Sequence, residues 1–416
     1  MTSSGTPIPS LDTVHAALHK TTETLACELA RPTHTAPDWS DFEWLTARAV
    51  AAIHGVSALL SSRLLWHGPG GWRQFLDEQR VHTTHRHQRI QALLEAIDRG
   101  ARTECIPIVA LKGAALHAIG LYAPGERPMA DVDLLVRGAD MKPTAKVIER
   151  LGYHESFAYW KHLVFAPNSA SVPKGLGEHS DHEIKIELHH RIAEILPLRT
   201  TDVTDTVFPQ QPQPGLNAYP STAALMAHLV LHAAGGMAYR SLRLLQLHDI
   251  ALLCRRMSDT DWDQVLSLDN PHRTPWWALP PLALTARYYS SVVPPRVLTA
   301  LEAACHRRLR RISKSRLLSD VSLSYPWIEA FPGIEWAQSI GEMFEHVASR
   351  TIRAARLLAQ HKSPARTSAA PADSTWPLLS QRPYILRWLI SRPARPATMR
   401  PVRAALEQLQ TDRMRN

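Results

Sequence analysis

The sequence predicts an α+β fold in which a small group of strands lies between two helical regions. Apolar residues recur at helical spacing before residue 100 and again after Pro220, whereas short β-branched and apolar runs begin at Ile106. At 416 residues the chain is long enough for two or three domains of roughly 100–200 residues. The expected regions are an N-terminal helical region over 1–100, a strand-containing unit over 101–215, a C-terminal helical region over 216–361 and a basic Arg- and Pro-rich tail over 362–416.

Three helices are expected in the first hundred residues. The first covers Leu11–Ala30, the second begins at Ser40 or Asp41 and continues through Leu60, and the third covers Trp72–Arg99. Gly100 is interpreted as the residue that ends the third helix. The histidines of this helix are interpreted as solvated. They are His82, His85 and His87.

The middle unit alternates strands with short helices. Four strands are expected, at Ile106–Leu111, Asp131–Val136, Ala158–Phe165 and His182–His189. Helices are expected over 114–120 and 141–151. After Pro220 the expected helices are Thr222–Ala234, capped by Ser221 and ended by Gly235 and Gly236, then Arg240–Arg256, Asp261–Leu266, Pro280–Tyr289, Arg296–Ala304 and Trp336–Ala359, followed by a linker from Lys362.

The charge distribution limits the partners. Residues 351–416 carry twelve Lys and Arg against three acids, which accounts for the whole net charge of +9. The remainder is balanced and has no net attraction for polyanions, so a nucleic-acid partner is conceivable through the tail alone and is not favoured. The tail is interpreted as an arm that packs on the body or stays disordered. The oligomeric state is left open.

The setting expected for the chain is the reduced cytoplasm. The four cysteines are far apart and follow neither a metal-binding nor a dense disulfide pattern. The first residues lack a basic segment followed by an apolar one, so no signal peptide is expected. No run approaches the ~18 apolar residues of a membrane span, and no membrane partner is expected.

Asp131 and Asp133 are the first candidates for chemistry. Because strand side chains alternate, both carboxylates lie on one face of the expected strand, and hard cations such as Mg²⁺ take oxygen ligands of this kind. A solvated strand edge is the alternative for an isolated Asp-x-Asp. Glu187 lies on a later strand and supplies a third carboxylate, and Gly113 follows a strand where backbone without a Cβ could approach a phosphate.

At these residues the chain resembles the nucleotidyltransferase superfamily, specifically its bacterial branch of uncharacterised nucleotidyltransferases. The resemblance covers roughly residues 40–350. The motifs that carry it are Leu111-Lys112-Gly113-Ala114-Ala115-Leu116, Arg127-Pro128-Met129-Ala130-Asp131-Val132-Asp133-Leu134-Leu135-Val136, Leu151-Gly152-Tyr153, Ile186-Glu187-Leu188-His189-His190, Leu229-Val230-Leu231-His232-Ala233-Ala234 and Leu247-His248-Asp249-Ile250-Ala251-Leu252-Leu253.

The resemblance implies a polymerase-β-like palm, a small mixed sheet flanked by helices. It implies that Asp131, Asp133 and Glu187 form the metal and catalytic set, that Mg²⁺ or Mn²⁺ is the cofactor and that an NTP is the substrate. Glu187 is also the natural position for the general base. Gly113 would face the phosphates. Ala114 departs from the superfamily, which usually has Ser after this glycine, and so leaves a non-catalytic palm open.

Four further residues are candidates for substrate binding. Lys112 and Arg127 could neutralise phosphate charge, and exposed loop bases are the alternative reading. His189 shares a strand face with Glu187. His232 is assigned to the acceptor pocket by the resemblance; its spacing from His228 also suits zinc, but no third ligand accompanies the pair.

The leading hypothesis is a Mg²⁺-dependent enzyme that moves an NMP, with ATP as the expected donor, to a hydroxyl or phosphate of a small molecule or peptide and releases pyrophosphate. One alternative is a degenerate palm that binds a nucleotide or a partner protein. The other is NMP transfer to RNA or protein, with the basic tail as the anchor.

Overall fold

The computed structural model describes residues 9–169, 175–268, 274–360 and 393–415. It has the α+β architecture expected from the sequence, with one mixed sheet between two sets of helices. The expected linker from Lys362 and the apolar piece at 384–390 lie outside the described residues.

Four helices form the N-terminal region. They are α1 (Leu11–Ala30), α2 (Asp41–Ile53), α3 (Ser57–Arg63) and α4 (Gly70–Thr103). Ser40 caps α2 through the expected capping box with Glu43. The expectation of one helix from residue 41 to beyond 60 is wrong, because Gly55 adopts a left-handed φ of +66° and turns the chain between α2 and α3. Gly100 does not end α4, since it packs against Val147 inside the helix.

The histidines of α4 differ in their environments. His85 is exposed as expected, but the expectation is wrong for His82 and His87, which are half-buried. His82 Nδ1 accepts a hydrogen bond from the backbone N–H of Ser180, and the His87 ring lies 4.5 Å from the ring of His117. His82 therefore connects α4 to the segment that contains Ser180, and His87 packs between α4 and the helix that contains His117.

A six-stranded mixed sheet forms the middle of the protein. Its strands are β1 (Pro107–Ala110), β2 (Asp131–Leu135), β3 (Tyr153–Ala158), β4 (His162–Pro167), β5 (Lys185–His189) and β8 (Gly215–Asn217), in the spatial order β3-β4-β5-β2-β1-β8. β2 pairs in parallel with β5, and β4 pairs antiparallel with β5. A separate pair consists of β6 (Ala193–Leu196) and β7 (Arg199–Asp202). The helices between these strands are α5 (Lys112–Ala118), α6 (Met141–Arg150) and α7 (Thr204–Val207).

The strand expected over Ala158–Phe165 is two strands in the structure. Residues 159–161 form a tight turn in which the Tyr159 N–H donates to the His162 carbonyl at 2.8 Å, so β3 and β4 are the arms of a hairpin. Strands β6, β7 and β8 were not expected from the sequence. Each has three or four residues, which is too short for a clear alternating pattern.

The C-terminal region consists of helices. They are α8 (Thr222–Ala238), α9 (Leu244–Cys254), α10 (Asp259–Leu266), α11 (Leu279–Tyr288), α12 (Pro295–Ala304), α13 (Arg307–Ser315), α14 (Leu318–Val321), α15 (Ile340–Gln360) and α16 (Pro396–Arg415). Ser221 caps α8 as expected. The expected break at Gly235 and Gly236 is wrong, because both glycines remain helical where Glu194 and the backbone of Leu242 approach α8 closely.

Two hydrophobic cores hold these elements together. The larger core contains residues from both helical regions, including Leu18, Val50 and Val230, and it also includes Met399 and Val402 of the basic tail. The described part of the tail therefore packs on the body, which is one of the two arrangements expected from the sequence. The smaller core lies under one face of the sheet. Its members include Ile90, Ile97, Val132, Ile148, Ile186 and Leu188.

The long helix α4 contributes to both cores. Trp72 and Leu76 from its first half belong to the larger core, and Ile90 and Ile97 from its second half belong to the smaller one. The apolar face of the sheet is thus covered by α4 and α6. The opposite face carries the acidic residues and is turned towards the C-terminal helices.

Among the described residues, no single helix is both long and apolar enough to cross a membrane. Helices α2 and α3 meet the length and composition criteria only as a pair, which is bent by 112°.

Candidate active site

The three predicted carboxylates lie on neighbouring strands. Asp131 and Asp133 are two residues apart on β2 and therefore share a face. The parallel register places Asp133 beside Glu187 of β5, and adjacent strands are about 4.8 Å apart. The fold thus brings the carboxylates of Asp131, Asp133 and Glu187 onto one small area of the sheet.

Lys112 contacts this cluster directly. It begins α5 immediately after β1, and its Nζ lies 2.6 Å from Asp133 Oδ1. Its backbone has a left-handed φ of +46°, a strained conformation for a residue with a side chain. The Lys112 N–H donates to the Tyr219 hydroxyl at 3.4 Å, and that hydroxyl is 2.7 Å from His228 Nδ1. These contacts hold Lys112 in the conformation that aims its ammonium at Asp133.

Two histidines lie on the other side of the carboxylates. His189 Nε2 is 3.1 Å from Asp133 Oδ1 and 3.3 Å from Glu187 Oε2. His162 of β4 is directly opposite His189 in the antiparallel register, and its Nε2 lies 3.9 Å from Glu187 Oε2. Both rings are buried. Glu187 therefore faces two imidazoles as well as Asp133.

The two aspartates of β2 have opposite pKa shifts. Burial and the neighbouring charge of Asp133 raise the pKa of Asp131 to about 6. Burial would also raise the pKa of Asp133, but the Lys112 ammonium and the His189 hydrogen bond outweigh it and hold that pKa well below its usual range. Burial opposes ionisation of Glu187 as well, yet the hydrogen bond from His189 leaves its pKa lowered. The three carboxylates carry more negative charge than Lys112 compensates, and this uncompensated charge is seen in the raised pKa of Asp131.

A second polar group borders the same cavity through Glu194 and His232. Lys161 Nζ lies 2.8 Å from Glu194 Oε1, and His232 Nδ1 of α8 lies 3.7 Å from the same oxygen. Burial would raise the pKa of Glu194, but His232 and Lys161 together lower it to about 2. A Cβ at Gly235 would lie 2.7 Å from Glu194 Oε2, so glycine at this point of α8 makes room for the carboxylate.

Arg127 joins the loop before β2 to helix α9. Its guanidinium donates two hydrogen bonds to Asp249, of 2.9 and 2.8 Å, and the Tyr122 hydroxyl donates a third at 2.6 Å. Both charged side chains are buried. Gly113 packs against Arg127 and Met129 so closely that a Cβ would meet their side chains. The Arg86 guanidinium supports the same loop by donating to the Met129 and Ala130 carbonyls.

A cavity of about 490 Å³ is bordered by the carboxylate cluster, by Glu194 and His232, and by the Arg127–Asp249 pair. Seven of the eight predicted site residues line it, namely Lys112, Gly113, Arg127, Asp131, Asp133, Glu187 and His232, and His189 contacts two of them. Arg243, at the N-terminal end of α9, lines it as an exposed cation whose charge acts on Asp131. A larger cavity of about 780 Å³ lies beside α4 and β8 and is lined by none of the three carboxylates, so the smaller cavity is the candidate site.

A family profile described as "Uncharacterised nucleotidyltransferase" matches residues 40–290, which is more than half of the chain. The chain belongs to this nucleotidyltransferase family. The matched part begins just before α2 and ends after α11, so it contains the whole sheet and every residue of the cavity except Leu323. The family supports transfer of a nucleoside monophosphate in general and an NTP as substrate. No curated protein and no solved structure matches the chain.

Several residues of this nucleotidyltransferase site were not found from the sequence. Asp249 occurs in one of the quoted motifs, but its pairing with Arg127 connects positions 122 residues apart. Glu194 lies in the four-residue strand β6 and Lys161 in the turn between β3 and β4, and the sequence pattern resolves neither element. His162 falls within the expected strand over 158–165, and its pairing with His189 required the antiparallel register. Strand pairing was the missing information.

Proposed function

We propose that this chain is a Mg²⁺-dependent nucleotidyltransferase that moves an NMP from an NTP, with ATP as the expected donor, to a hydroxyl or phosphate of a small-molecule or peptide acceptor, releasing pyrophosphate. The observation that carries the proposal is the meeting of Asp131, Asp133 and Glu187 at one wall of the cavity.

The donor set fits a hard divalent cation. Three carboxylates from two parallel strands offer the oxygen ligands that Mg²⁺ and Mn²⁺ take. The raised pKa of Asp131 indicates uncompensated negative charge, which a cation would neutralise. When bound, Mg²⁺ supplies charge neutralisation for the phosphates and for the attacking and leaving oxygens. Asp131, Asp133 and Glu187 are the residues that would hold it.

The other residues of the cavity support binding and proton transfer. Gly113 lines the cavity, so its backbone is available to a phosphate there, while Arg127 and Met129 fill the space that a Cβ would take. Arg243 offers a cation for the developing charge of pyrophosphate. Arg127 is bound to Asp249, so its contribution is to hold the loop that precedes the aspartates. Glu187, with its lowered pKa, is ionised at neutral pH and able to accept the proton of an attacking hydroxyl.

The size of the cavity supports a small acceptor. About 490 Å³ falls within the range of small-molecule sites, about 300–1,000 Å³. Glu194 and His232 line the same cavity and offer an acceptor hydrogen-bond partners. We also propose the cytoplasm as the location, which is supported by four free cysteines, two of them exposed.

The test is release of pyrophosphate from each NTP with Mg²⁺ and a cell extract as the source of acceptor. We expect release by the wild type and none by the double variant Asp131→Ala, Asp133→Ala. Asp205→Asn is the matched control, because that carboxylate is exposed and pairs with Arg137 at the surface. Equal rates for the wild type and the double variant would refute the enzymatic proposal.

A non-catalytic palm is the second candidate, and two observations favour it. Ala114 stands where related enzymes usually have a serine, and the Lys112 ammonium already neutralises Asp133. Calorimetry separates the candidates. Tight NTP binding that is independent of Mg²⁺ and produces no pyrophosphate would support the binding module.

Transfer to RNA or protein through the basic tail remains an alternative proposal. Met399 and Val402 of α16 are buried in the larger core, so deletion of the whole tail would remove core residues. The sharper test replaces the exposed Arg400 and Arg403 by Gln and measures RNA binding against salt concentration. A phosphate-dependent anchor would lose affinity and salt sensitivity in this variant.

A further inference from the structure

His162 and His189 face each other across β4 and β5. They are paired residues of the antiparallel ladder, so their side chains leave the sheet on the same face, with ring centroids 4.6 Å apart. Glu187 lies two residues before His189 on that face. One potential ligand atom from each of His162, Glu187 and His189 lies within 4.8 Å of the other two.

The two rings have nitrogen atoms with no other role. Both ring nitrogens of His162 and Nδ1 of His189 are buried without a hydrogen-bond partner in the described part of the chain. The residues are only 7% and 4% exposed. Buried polar atoms are nearly always satisfied, because a buried group without a partner loses its hydrogen bonds to water and gains none in return. A metal ion bound through one nitrogen of each ring would give a partner to a nitrogen that lacks one, beside the Glu187 carboxylate.

We propose that His162, Glu187 and His189 form a transition-metal site for a borderline-soft divalent ion such as Zn²⁺. Two imidazoles and one carboxylate are a known ligand set for zinc, whereas Mg²⁺ avoids nitrogen ligands. Metal–ligand bonds of about 2.0–2.2 Å fit the 3.3 Å between His189 Nε2 and Glu187 Oε2 and require His162 Nε2 to lie somewhat closer to Glu187 than 3.9 Å. Asp133 Oδ1 lies 3.1 Å from His189 Nε2 and would be available as a further oxygen ligand.

The site is distinct from the Mg²⁺ set in its ligand chemistry but shares one residue with it. Asp131 and Asp133 offer oxygen alone, whereas the new site is built on β4 and β5 and uses nitrogen. Because Glu187 belongs to both sets, a transition metal would compete with Mg²⁺ for that carboxylate. Only this competition with Mg²⁺ rests on the proposed function. Binding of a transition metal to His162, Glu187 and His189 does not depend on it.

The test uses the full-length, metal-stripped protein and measures Zn²⁺ binding by calorimetry and Co²⁺ binding by visible absorption. The variants are His162→Gln and, as a matched control, His190→Gln, which changes a half-buried histidine next to His189. Loss of a residue that only hydrogen-bonds to a metal ligand costs about 10–100-fold in metal affinity. Loss of a ligand itself should therefore weaken binding at least ~10-fold. His190→Gln should bind like the wild type. The remaining histidines give the same weak background in all three proteins.

Two results would overturn the proposal. One is unchanged affinity in His162→Gln for both metals, with circular dichroism showing that the variant is folded. The other result needs no variant. A nitrogen-ligated, low-coordinate Co²⁺ site in the wild type has intense visible absorption bands. Weak bands typical of octahedral oxygen coordination would therefore refute the proposal even if His162→Gln failed to fold.

Discussion

The Lys112 ammonium lies 2.6 Å from Asp133 Oδ1 and supplies positive charge to the carboxylate cluster. The two side chains are 19% and 7% exposed, so water screens their interaction little. Burial would lower the pKa of Lys112, but Asp133 and Asp131 raise it, and the lysine is charged at neutral pH. In the absence of metal, Lys112 therefore stabilises a cluster that would otherwise repel itself.

Replacing Lys112 by Met should make the free energy of unfolding strongly dependent on Mg²⁺. Removing one partner of a buried ion pair costs about 3–5 kcal/mol, because the other charge is left uncompensated. We expect that loss in chemical denaturation without Mg²⁺ and a partial recovery with it. Lys142→Met, at an exposed site, is the control and should show neither effect. An equal response of the two variants to Mg²⁺ would contradict this role of Lys112.

Affinity for Mg²⁺ should rise with pH through the pKa of Asp131, about 6. Below that value Asp131 binds a proton that the cation must displace, so affinity should fall about tenfold per pH unit between about pH 6 and about pH 5. In the metal-free protein, the contribution of Asp131 to stability changes with pH in the opposite direction. Because its folded pKa is raised, this contribution falls as the pH rises from the unfolded pKa of 3.8 to about 6. Calorimetric titration with Mg²⁺ at several pH values measures the first effect, and a flat profile would argue against Asp131 as a ligand.

Asp249→Asn should destabilise the fold far more than loss of an exposed ion pair. Asp249 accepts two hydrogen bonds from Arg127 and one from Tyr122 in a buried setting, so the variant leaves the Arg127 charge unpaired at a cost of about 3–5 kcal/mol. Asp259→Asn removes the exposed contact with Arg296 and should change stability little, because water screens exposed ion pairs. Urea unfolding of both variants measures the difference, and similar midpoints would show that the Arg127 pair is not a major restraint.

Gly113→Ala should disturb the loop before the aspartates. The added Cβ would overlap Arg127 Nη1 and lie 2.8 Å from Met129 Cγ, and Arg127 is held in place by Asp249. Overpacking of this kind costs about 1–3 kcal/mol, and we expect lower kcat/KM with the loss of stability. Gly138→Ala is the matched control, since a Cβ there meets nothing within 4 Å. Pyrophosphate release and thermal unfolding check both variants, which should differ clearly if the close approach matters.

The carboxylates could be located from the sequence because strand side chains alternate and helical spacing marks the regions on either side. The same local rules failed where long-range contacts decide the outcome. The Gly235–Gly236 pair suggests a helix end, but packing against Leu242 and Glu194 keeps it helical. The partner of Lys112 could not be deduced either, because it depends on the pairing of β1 with β2.

The 34-residue helix α4 has a consequence for how this protein can be divided. Its second half covers the apolar face of the sheet, and its first half is embedded among the N-terminal helices. A chain cut at residue 100 would leave Ile108 and Ile186 without the helix that shields them from water, and the fragment would be prone to aggregate. The strands that carry Asp131, Asp133 and Glu187 therefore cannot be transferred to another protein without this helix. Any fusion or truncation that retains them has to begin upstream of Gly70 and carry the helical scaffold with it.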